Sequence, residues 1–168
     1  AVALATCAVM PLVISLQPLI FGISQLVTAL QIGVFFAIGL YKVRKPGSLL
    51  IMALMMGLIQ LMMSPPMFLS SVLDGVLIEL IVLLLFRGYE KDAAVFCAAM
   101  LHTSLSLPFN YLYNRLIKGA DSPLAAVADR APLAAVGMTL AVVAVSALGA
   151  LIGIKIAREL KKSGVLKK

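Results

Sequence analysis

The fold is decided by the stretch FLSSVLDGVLIELIVLLLF at residues 68–86. A helix needs ~20 consecutive, mostly apolar residues to cross the hydrocarbon core of a bilayer. This stretch is long enough, and Asp74 and Glu79 are its only charged side chains. It therefore predicts a helix that spans a membrane.

The rest of the 168-residue chain has the same character, with 62% hydrophobic and 12% charged residues and a mean hydropathy of +1.11. A typical soluble domain is about half apolar and about a quarter charged. This composition excludes a soluble enzyme and a disordered tail. The net charge of +7 comes from residues between apolar runs, so it indicates membrane topology and not nucleic-acid binding. Cys7 and Cys97 lie in apolar runs and form neither a disulfide framework nor a CxxC metal pair.

Turn-forming residues divide the chain into six predicted spans, which form one transmembrane domain over residues 1–168. The spans cover residues 1–14, 22–40, 48–63, 68–86, 93–107 and 132–156. The breaks between them include Lys45-Pro46-Gly47 and Arg87-Gly88, which are typical of turns. The predicted fold class is all-α, a compact bundle of six helices.

Basic residues are divided unequally between the two sides of such a bundle. Six spans place both termini on one side, which receives 11 of the 14 Lys and Arg residues. The other side receives only Arg115, Lys118 and Arg130. Because short cytoplasmic loops are enriched in Lys and Arg, this asymmetry predicts that both termini are cytoplasmic.

Polar side chains are concentrated in the outer half of the predicted bundle and in the adjacent outer loops, whereas the inner half is almost purely apolar. Polar groups in hydrocarbon usually face a bundle interior or a wet cavity. The pattern predicts a pocket that opens to the outside and is closed below, unless these groups only satisfy one another or stay hydrated near the headgroups. The candidate pocket residues are Gln25, Gln60, Asp74, Asn110, Tyr111, Tyr113 and Arg115.

Three other features allow two interpretations. Glu79 lies about 140° around the helix from Asp74, so we expect it to bond a neighbouring helix or a subunit instead of forming a paired-carboxylate site. His102, the single histidine, is either a hydrogen-bonded structural residue or a ligand group in the pocket. Methionines between residues 52 and 67 either give adaptable packing or form, with His102, a soft-metal or haem pocket.

Small residues spaced four apart predict close helix contacts. In the first span, Ala1, Ala3 and Ala5 either pack within the bundle or dock a second membrane subunit. The other pairs are Gly33 with Ala37, Ala94 with Ala98, and Gly149 with Gly153.

The motifs of common catalytic sites are missing from the sequence. It has no GxxxxGK[ST] phosphate loop, no GxSxG nucleophile turn and no HExxH zinc motif. We therefore predict that the protein is not an enzyme and that it does not hydrolyse ATP itself.

Three motifs carry a family resemblance: GLYKVRKPGS at residues 39–48, DGVLIE at residues 74–79 ahead of Arg87-Gly88-Tyr89, and GALIGIK at residues 149–155 before a basic tail. With the six-span plan, they resemble the substrate-binding S component of energy-coupling factor (ECF) transporters, in the MptD-like branch. The resemblance implies a prokaryotic plasma-membrane protein that captures a micronutrient, often a vitamin, in a pocket formed by outer loops and helices four to six. It also implies a membrane coupling subunit and two ATPase subunits as partners. The docking face would be Ala1, Ala3 and Ala5, and the outer loops would be 15–21, 64–67 and 110–131, the last as a lid.

The predicted function is thus substrate capture for an ECF-type ABC importer, with His102 added to the seven pocket residues and with no resident cofactor or metal ion. The alternative is a stand-alone secondary transporter in which Asp74 or Glu79 carries a proton, and a third possibility is a structural subunit. The predicted cargo is an organic vitamin precursor, with haem or a metal chelate as the alternative. The predicted surroundings are the lipid bilayer, and no nucleic acid is expected as a partner.

Overall fold

The computed structural model describes residues 22–62, 65–117, 119 and 123–164. The predicted first span and its docking residues Ala1, Ala3 and Ala5 lie outside these ranges. Every regular element within them is a helix, as the composition predicts. The helices are α1 (Ile23–Val43), α2 (Ser48–Leu61), α3 (Pro65–Phe86), α4 (Asp92–Ile117), α5 (Pro123–Arg130) and α6 (Pro132–Lys162).

The helices have the length and surface of a membrane protein. Among the described residues, α1, α3, α4 and α6 are long and apolar enough to cross a bilayer. Helix α2 is also apolar but has 14 residues. Large apolar side chains cover the outside of the bundle; Met62, Leu84 and Leu133 are each more than four-fifths exposed. Such a continuous apolar surface is expected against lipid and not against water.

Two predicted breaks are confirmed as tight turns. Helix α1 ends at Arg44, which adopts a φ of 47° and donates its backbone N–H to the carbonyl of Leu40 at 2.9 Å. Gly47, with a φ of 84°, then caps the start of α2, and its left-handed conformation favours glycine. Arg87, with a φ of 59°, occupies the second predicted turn, between α3 and α4.

The predicted end of the fifth span at residue 107 is wrong, because α4 continues through Pro108 to Ile117. Proline removes one backbone donor and usually breaks a helix, but serine and asparagine side chains can bond nearby carbonyls in such a helix. Here the Ser106 hydroxyl donates to the carbonyl of Thr103 at 2.7 Å, and Asn110 Nδ2 donates to the carbonyl of Ser106 at 3.1 Å. The helix therefore tolerates the proline.

The predicted outer loop at residues 110–131 is corrected by the same finding. Its first part forms the last two turns of α4, which carry Asn110, Tyr111, Tyr113 and Arg115. Its last part forms α5. Helix α6 also extends beyond the predicted residue 156 to Lys162, so most of the basic tail is helical.

Helix α4 is the centre of the bundle. It packs against α1, α3 and α6, whereas α2 packs mainly against α3 and touches α1 only slightly. The bundle thus has an α2–α3 pair on one side and an α1–α4–α6 group on the other. We call the end where α1 and α3 finish the basic end, because Arg44, Arg87 and Arg158 lie there.

Glycines allow α1 and α6 to approach each other closely. A Cβ atom added to Gly149 would lie 2.7 Å from the carbonyl oxygen of Leu30, and one added to Gly153 would lie 2.5 Å from that of Val34. On α1, a Cβ at Gly33 would lie 3.0 Å from the carbonyl oxygen of Ser146. The predicted role of these small residues in helix contact is confirmed here.

We predict that Gly153→Val lowers the free energy of unfolding by about 1–3 kcal/mol, since overpacking forces the two backbones apart. Chemical unfolding in detergent micelles measures the change. The matched control is Gly137→Val on the same helix, where an added Cβ meets nothing within 4 Å. Equal losses in the two variants would contradict the role of Gly153.

Candidate functional site

A polar cavity lies between α1, α2, α3 and α4 in the half of the bundle away from the basic end. Its volume is about 70 Å³, and one buried water needs roughly 10–15 Å³ by such a measure. The cavity therefore has room for only a few molecules of the size of water in this conformation. It is lined by Gln25, Thr28, Ile32, Gln60, Met67, Ser70, Ser71, Asp74, His102, Thr103, Ser106 and Asn110.

Among the described residues of this lining, Asp74 supplies the only carboxylate. Its side chain is 1% exposed, and its Oδ1 atom has no hydrogen-bond partner among the described residues. A carboxylate inside a membrane costs ~2.5–3.5 kcal/mol on insertion scales unless it is solvated or paired. One turn away, the Ser71 hydroxyl donates to Gln60 Oε1 at 2.6 Å, which links α3 to α2 across the cavity.

Helix α4 contributes two further polar atoms that lack a partner within the described part of the chain. His102 is 5% exposed and its ring stacks on Phe36, with the centroids 4.3 Å apart and the planes at 19°. Its Nδ1 atom makes no hydrogen bond, and neither does the hydroxyl of the adjacent Thr103, which is 3% exposed. Three buried polar side chains facing one cavity therefore have unused hydrogen-bonding capacity.

The cavity includes five of the eight predicted site residues, which come from four helices. Gln25 is buried on α1, and its carbonyl oxygen accepts a hydrogen bond from Thr28 Oγ1 at 3.4 Å. The role of these five predicted residues in ligand binding remains a prediction. The five residues are Gln25, Gln60, Asp74, His102 and Asn110.

The other three predicted residues do not line this cavity. Arg115 and Tyr111 instead hold α5 against α4 through Asp129. Arg115 Nη1 lies 2.9 Å from Asp129 Oδ1, and the Tyr111 hydroxyl donates to the same oxygen at 2.9 Å. Tyr113 is half-buried on the same turns of α4.

At the basic end, in contrast, both carboxylate oxygens of the buried Glu79 accept hydrogen bonds. Glu79 Oε1 accepts the backbone N–H of Gly47 at 2.7 Å, and Glu79 Oε2 accepts the Tyr89 hydroxyl at 2.9 Å. Burial and the hydrogen bond to Glu79 raise the pKa of Tyr89 far above its ordinary value. The prediction that Glu79 bonds a neighbouring helix is confirmed, because Gly47 is the residue that caps the start of α2.

Two salt bridges also join helices at the basic end. Asp92, at the start of α4, bridges Arg44 at the end of α1 and Arg158 on α6, with both N–O distances at 2.6 Å. Between this end and the cavity lies an apolar core. The core includes Phe36, Leu40, Ile78, Val82, Val95, Ala98 and Ala99.

The soft-metal and haem interpretation receives little geometric support. Of the methionines with described positions, only Met67 lines the cavity with His102. Met56 is packed in the apolar core, and Met55 and Met62 are exposed on α2 and its end. Within the described residues, no three His, Cys, Asp or Glu side chains are placed to hold a metal ion.

A comparison with protein-family models places the chain among membrane proteins. The model described as a hypothetical bacterial integral membrane protein (Trep_Strep) matches residues 1–162. The chain belongs to the Trep_Strep family. No curated protein and no solved structure matches it. The Trep_Strep family description agrees with the apolar helices and the exposed apolar surface of the bundle.

Hydroxyl side chains of this Trep_Strep protein also line the cavity, and the sequence analysis missed them. The sequence signal for these hydroxyl residues is helical spacing, because residues three or four positions apart lie on the same face of a helix. Thr28 follows Gln25 by three residues, Ser70 precedes Asp74 by four, and Ser106 lies midway between His102 and Asn110. The missed polar residues are Thr28, Ser70, Ser71, Thr103 and Ser106.

We predict that Asp129→Ala loosens α5 of the Trep_Strep protein and leaves global stability nearly unchanged, because exposed ion pairs contribute little to stability. Hydrogen–deuterium exchange should rise in peptides from α5, since Arg115 and Tyr111 lose their shared partner. The control is Glu159→Ala, which removes the exposed pair with Lys162 on α6. Unchanged exchange in α5 would contradict the bridging role of Asp129.

Proposed function

We propose that this protein is the substrate-capture subunit of an ECF-type importer in a prokaryotic plasma membrane. It has six spans, both termini lie in the cytoplasm, and the basic end faces the cytoplasm. The cavity then faces outward and binds a micronutrient. The binding residues are Gln25, Gln60, Asp74, His102 and Asn110, together with the hydroxyl groups between them.

One observation carries this proposal: three deeply buried polar atoms without partners line a single cavity. They are Asp74 Oδ1, His102 Nδ1 and Thr103 Oγ1. Buried polar groups in folded proteins are nearly always hydrogen-bonded. A bound molecule with matching groups would satisfy all three, and the apolar wall of Ile32 and Met67 would bury its remaining surface.

The contrast between the two halves of the bundle also supports capture from one side. The apolar core and the partnered Glu79 lie between the cavity and the basic end, and Asp92 joins three helices at that end. A ligand therefore enters from the opposite end. Release to the cytoplasm then requires movement of the whole subunit or help from partners, and that is the task of the coupling subunit and the two ATPase subunits. The protein itself carries no enzymatic activity.

Capture of a molecule as large as a vitamin requires the cavity to widen. Sites for drug-sized ligands usually have volumes of about 300–1,000 Å³, well above the present 70 Å³. The cavity lies between the α2–α3 pair and the α1–α4 side of the bundle, and α2 touches α1 only slightly. We infer that α2 and α3 move outward on binding, with the basic end as the hinge. Haem is disfavoured as cargo because it is the largest of the candidate cargoes and would require the widest opening of the cavity.

We predict that Asp74→Ala weakens ligand binding but leaves expression intact, because the buried carboxylate contributes more to binding than to packing. Native mass spectrometry of protein purified in detergent should show a retained small molecule on the unchanged protein and less of it on the variant. Equal retention would remove Asp74 from the site. An unchanged protein that is always empty would favour a structural subunit.

The secondary transporter remains the alternative, and the buried Asp74 with an unpartnered oxygen is the observation that favours it. Reconstitution of the chain alone in liposomes separates the two functions. Uptake of the molecule identified by mass spectrometry, driven by a proton gradient without ATPase subunits, would support the alternative and contradict the capture proposal.

We predict that Ala1→Leu with Ala5→Leu prevents association with the coupling subunit, because bulky side chains block the close approach of two membrane helices. Co-purification of tagged subunits measures assembly, and native mass spectrometry on the same sample should show unchanged ligand retention. The matched control is Leu4→Ala, which lies between the two alanines. Intact co-purification of the double variant would show that this face does not dock the partner.

A further inference from the structure

Among the described residues that line the cavity, the acidic side chain is not balanced by a lysine or an arginine. This described lining contains one carboxylate, one histidine and no lysine or arginine. Arg115 would have supplied a positive charge, but it is paired with Asp129 at 2.9 Å on the far turns of α4. Arg44 and Arg158 are paired with Asp92 at the basic end. The positively charged side chains that could have faced Asp74 in these helices are thus engaged elsewhere.

Asp74 has no salt-bridge partner among the described residues, and its Oδ1 atom has no hydrogen-bond donor. Buried charges in proteins are normally paired or bound to an ion. Glu79 lies five residues further along α3, and both its oxygens are satisfied by donors from the protein. The helix can therefore satisfy a buried carboxylate from within the protein, but it does not do so at Asp74.

The two other unused atoms are compatible with a ligand that donates hydrogen bonds. The ring nitrogen Nδ1 of a neutral His102 and the hydroxyl group of Thr103 can each accept or donate a hydrogen bond, whereas an ionised carboxylate only accepts. Together with Asp74 Oδ1, they are unpartnered polar atoms on α3 and α4 around one cavity. A ligand that donates hydrogen bonds from several positions would satisfy all three.

We propose that the ligand of this cavity is a small organic cation with N–H donors, such as a protonated amine or amidine, and that Asp74 is its counter-ion. This inference rests on the proposed capture function and narrows its substrate class. The cationic nitrogen binds Asp74, and its other N–H groups bind His102 and Thr103. A phosphate or carboxylate compound is disfavoured, because its charge would meet Asp74 in a lining whose described residues include no lysine or arginine.

The test uses the full chain in detergent and a small-molecule yeast extract separated by ion exchange into cationic, neutral and anionic fractions. Each fraction is equilibrated with the protein, unbound molecules are removed, and mass spectrometry identifies what the protein retains. We expect retention from the cationic fraction alone, together with a rise in the melting temperature. Asp74→Asn, which keeps the side-chain shape, should retain at least about tenfold less, since a buried charge pair is lost.

The control is Glu159→Gln, which neutralises an exposed carboxylate on α6 outside the cavity and should leave retention unchanged. Retention from the neutral or anionic fraction by the unchanged protein would overturn the charge assignment and leave the capture function standing. Retention of a cation equally by Asp74→Asn would overturn the counter-ion role. Retention from none of the three fractions would contradict the capture function and this inference together.

Discussion

The structure depends on the requirement that polar atoms buried at membrane depth find a partner. Helix α3 meets this requirement in two ways within five residues. Glu79 is bonded by the backbone of Gly47 and by the Tyr89 hydroxyl, and these bonds join α2, α3 and the turn before α4. Asp74 keeps an unpartnered oxygen that faces a cavity. The first carboxylate serves the fold, and the second is available for a ligand.

The framework that holds the cavity open is set by backbone packing between α1 and α6. Because Gly33, Gly149 and Gly153 leave no room for a Cβ atom between the two helices, α1 and α6 form a close pair against α4. Helix α2 is attached mainly to α3. The polar side chains of α1 and α4 therefore face those of α2 and α3 across a gap, and the apolar core occupies the other half of the bundle.

The fold was largely predictable because hydropathy records which segments avoid water, and the turns at Gly47 and Arg87 carry strong local signals. The end of α4 was not predictable from Pro108, because the compensating bonds from Ser106 and Asn110 depend on the helix already being formed. The prediction of a loop at residues 123–130 was wrong for a related reason, because the contact between Asp129 and Arg115 depends on the extension of α4 to Arg115.

The site was partly predictable because sequence position gives the depth of a polar residue in the bundle. Depth alone selects Gln25, Gln60 and Asp74 correctly as neighbours. It does not give the direction in which a side chain points. Asn110 and Tyr111 share the same depth, but ~100° of rotation between adjacent helical residues separates them, and only Asn110 lines the cavity.

The shortness of α2 also affects the surrounding lipid. Its 14 residues give a helix about 21 Å long, against a hydrocarbon core of about 30 Å. A span shorter than the hydrocarbon core is accommodated by local thinning of the bilayer, by snorkelling of flanking side chains or by association with another helix. Where lipid lies beside α2, acyl chains that are shorter than average would match this helix best.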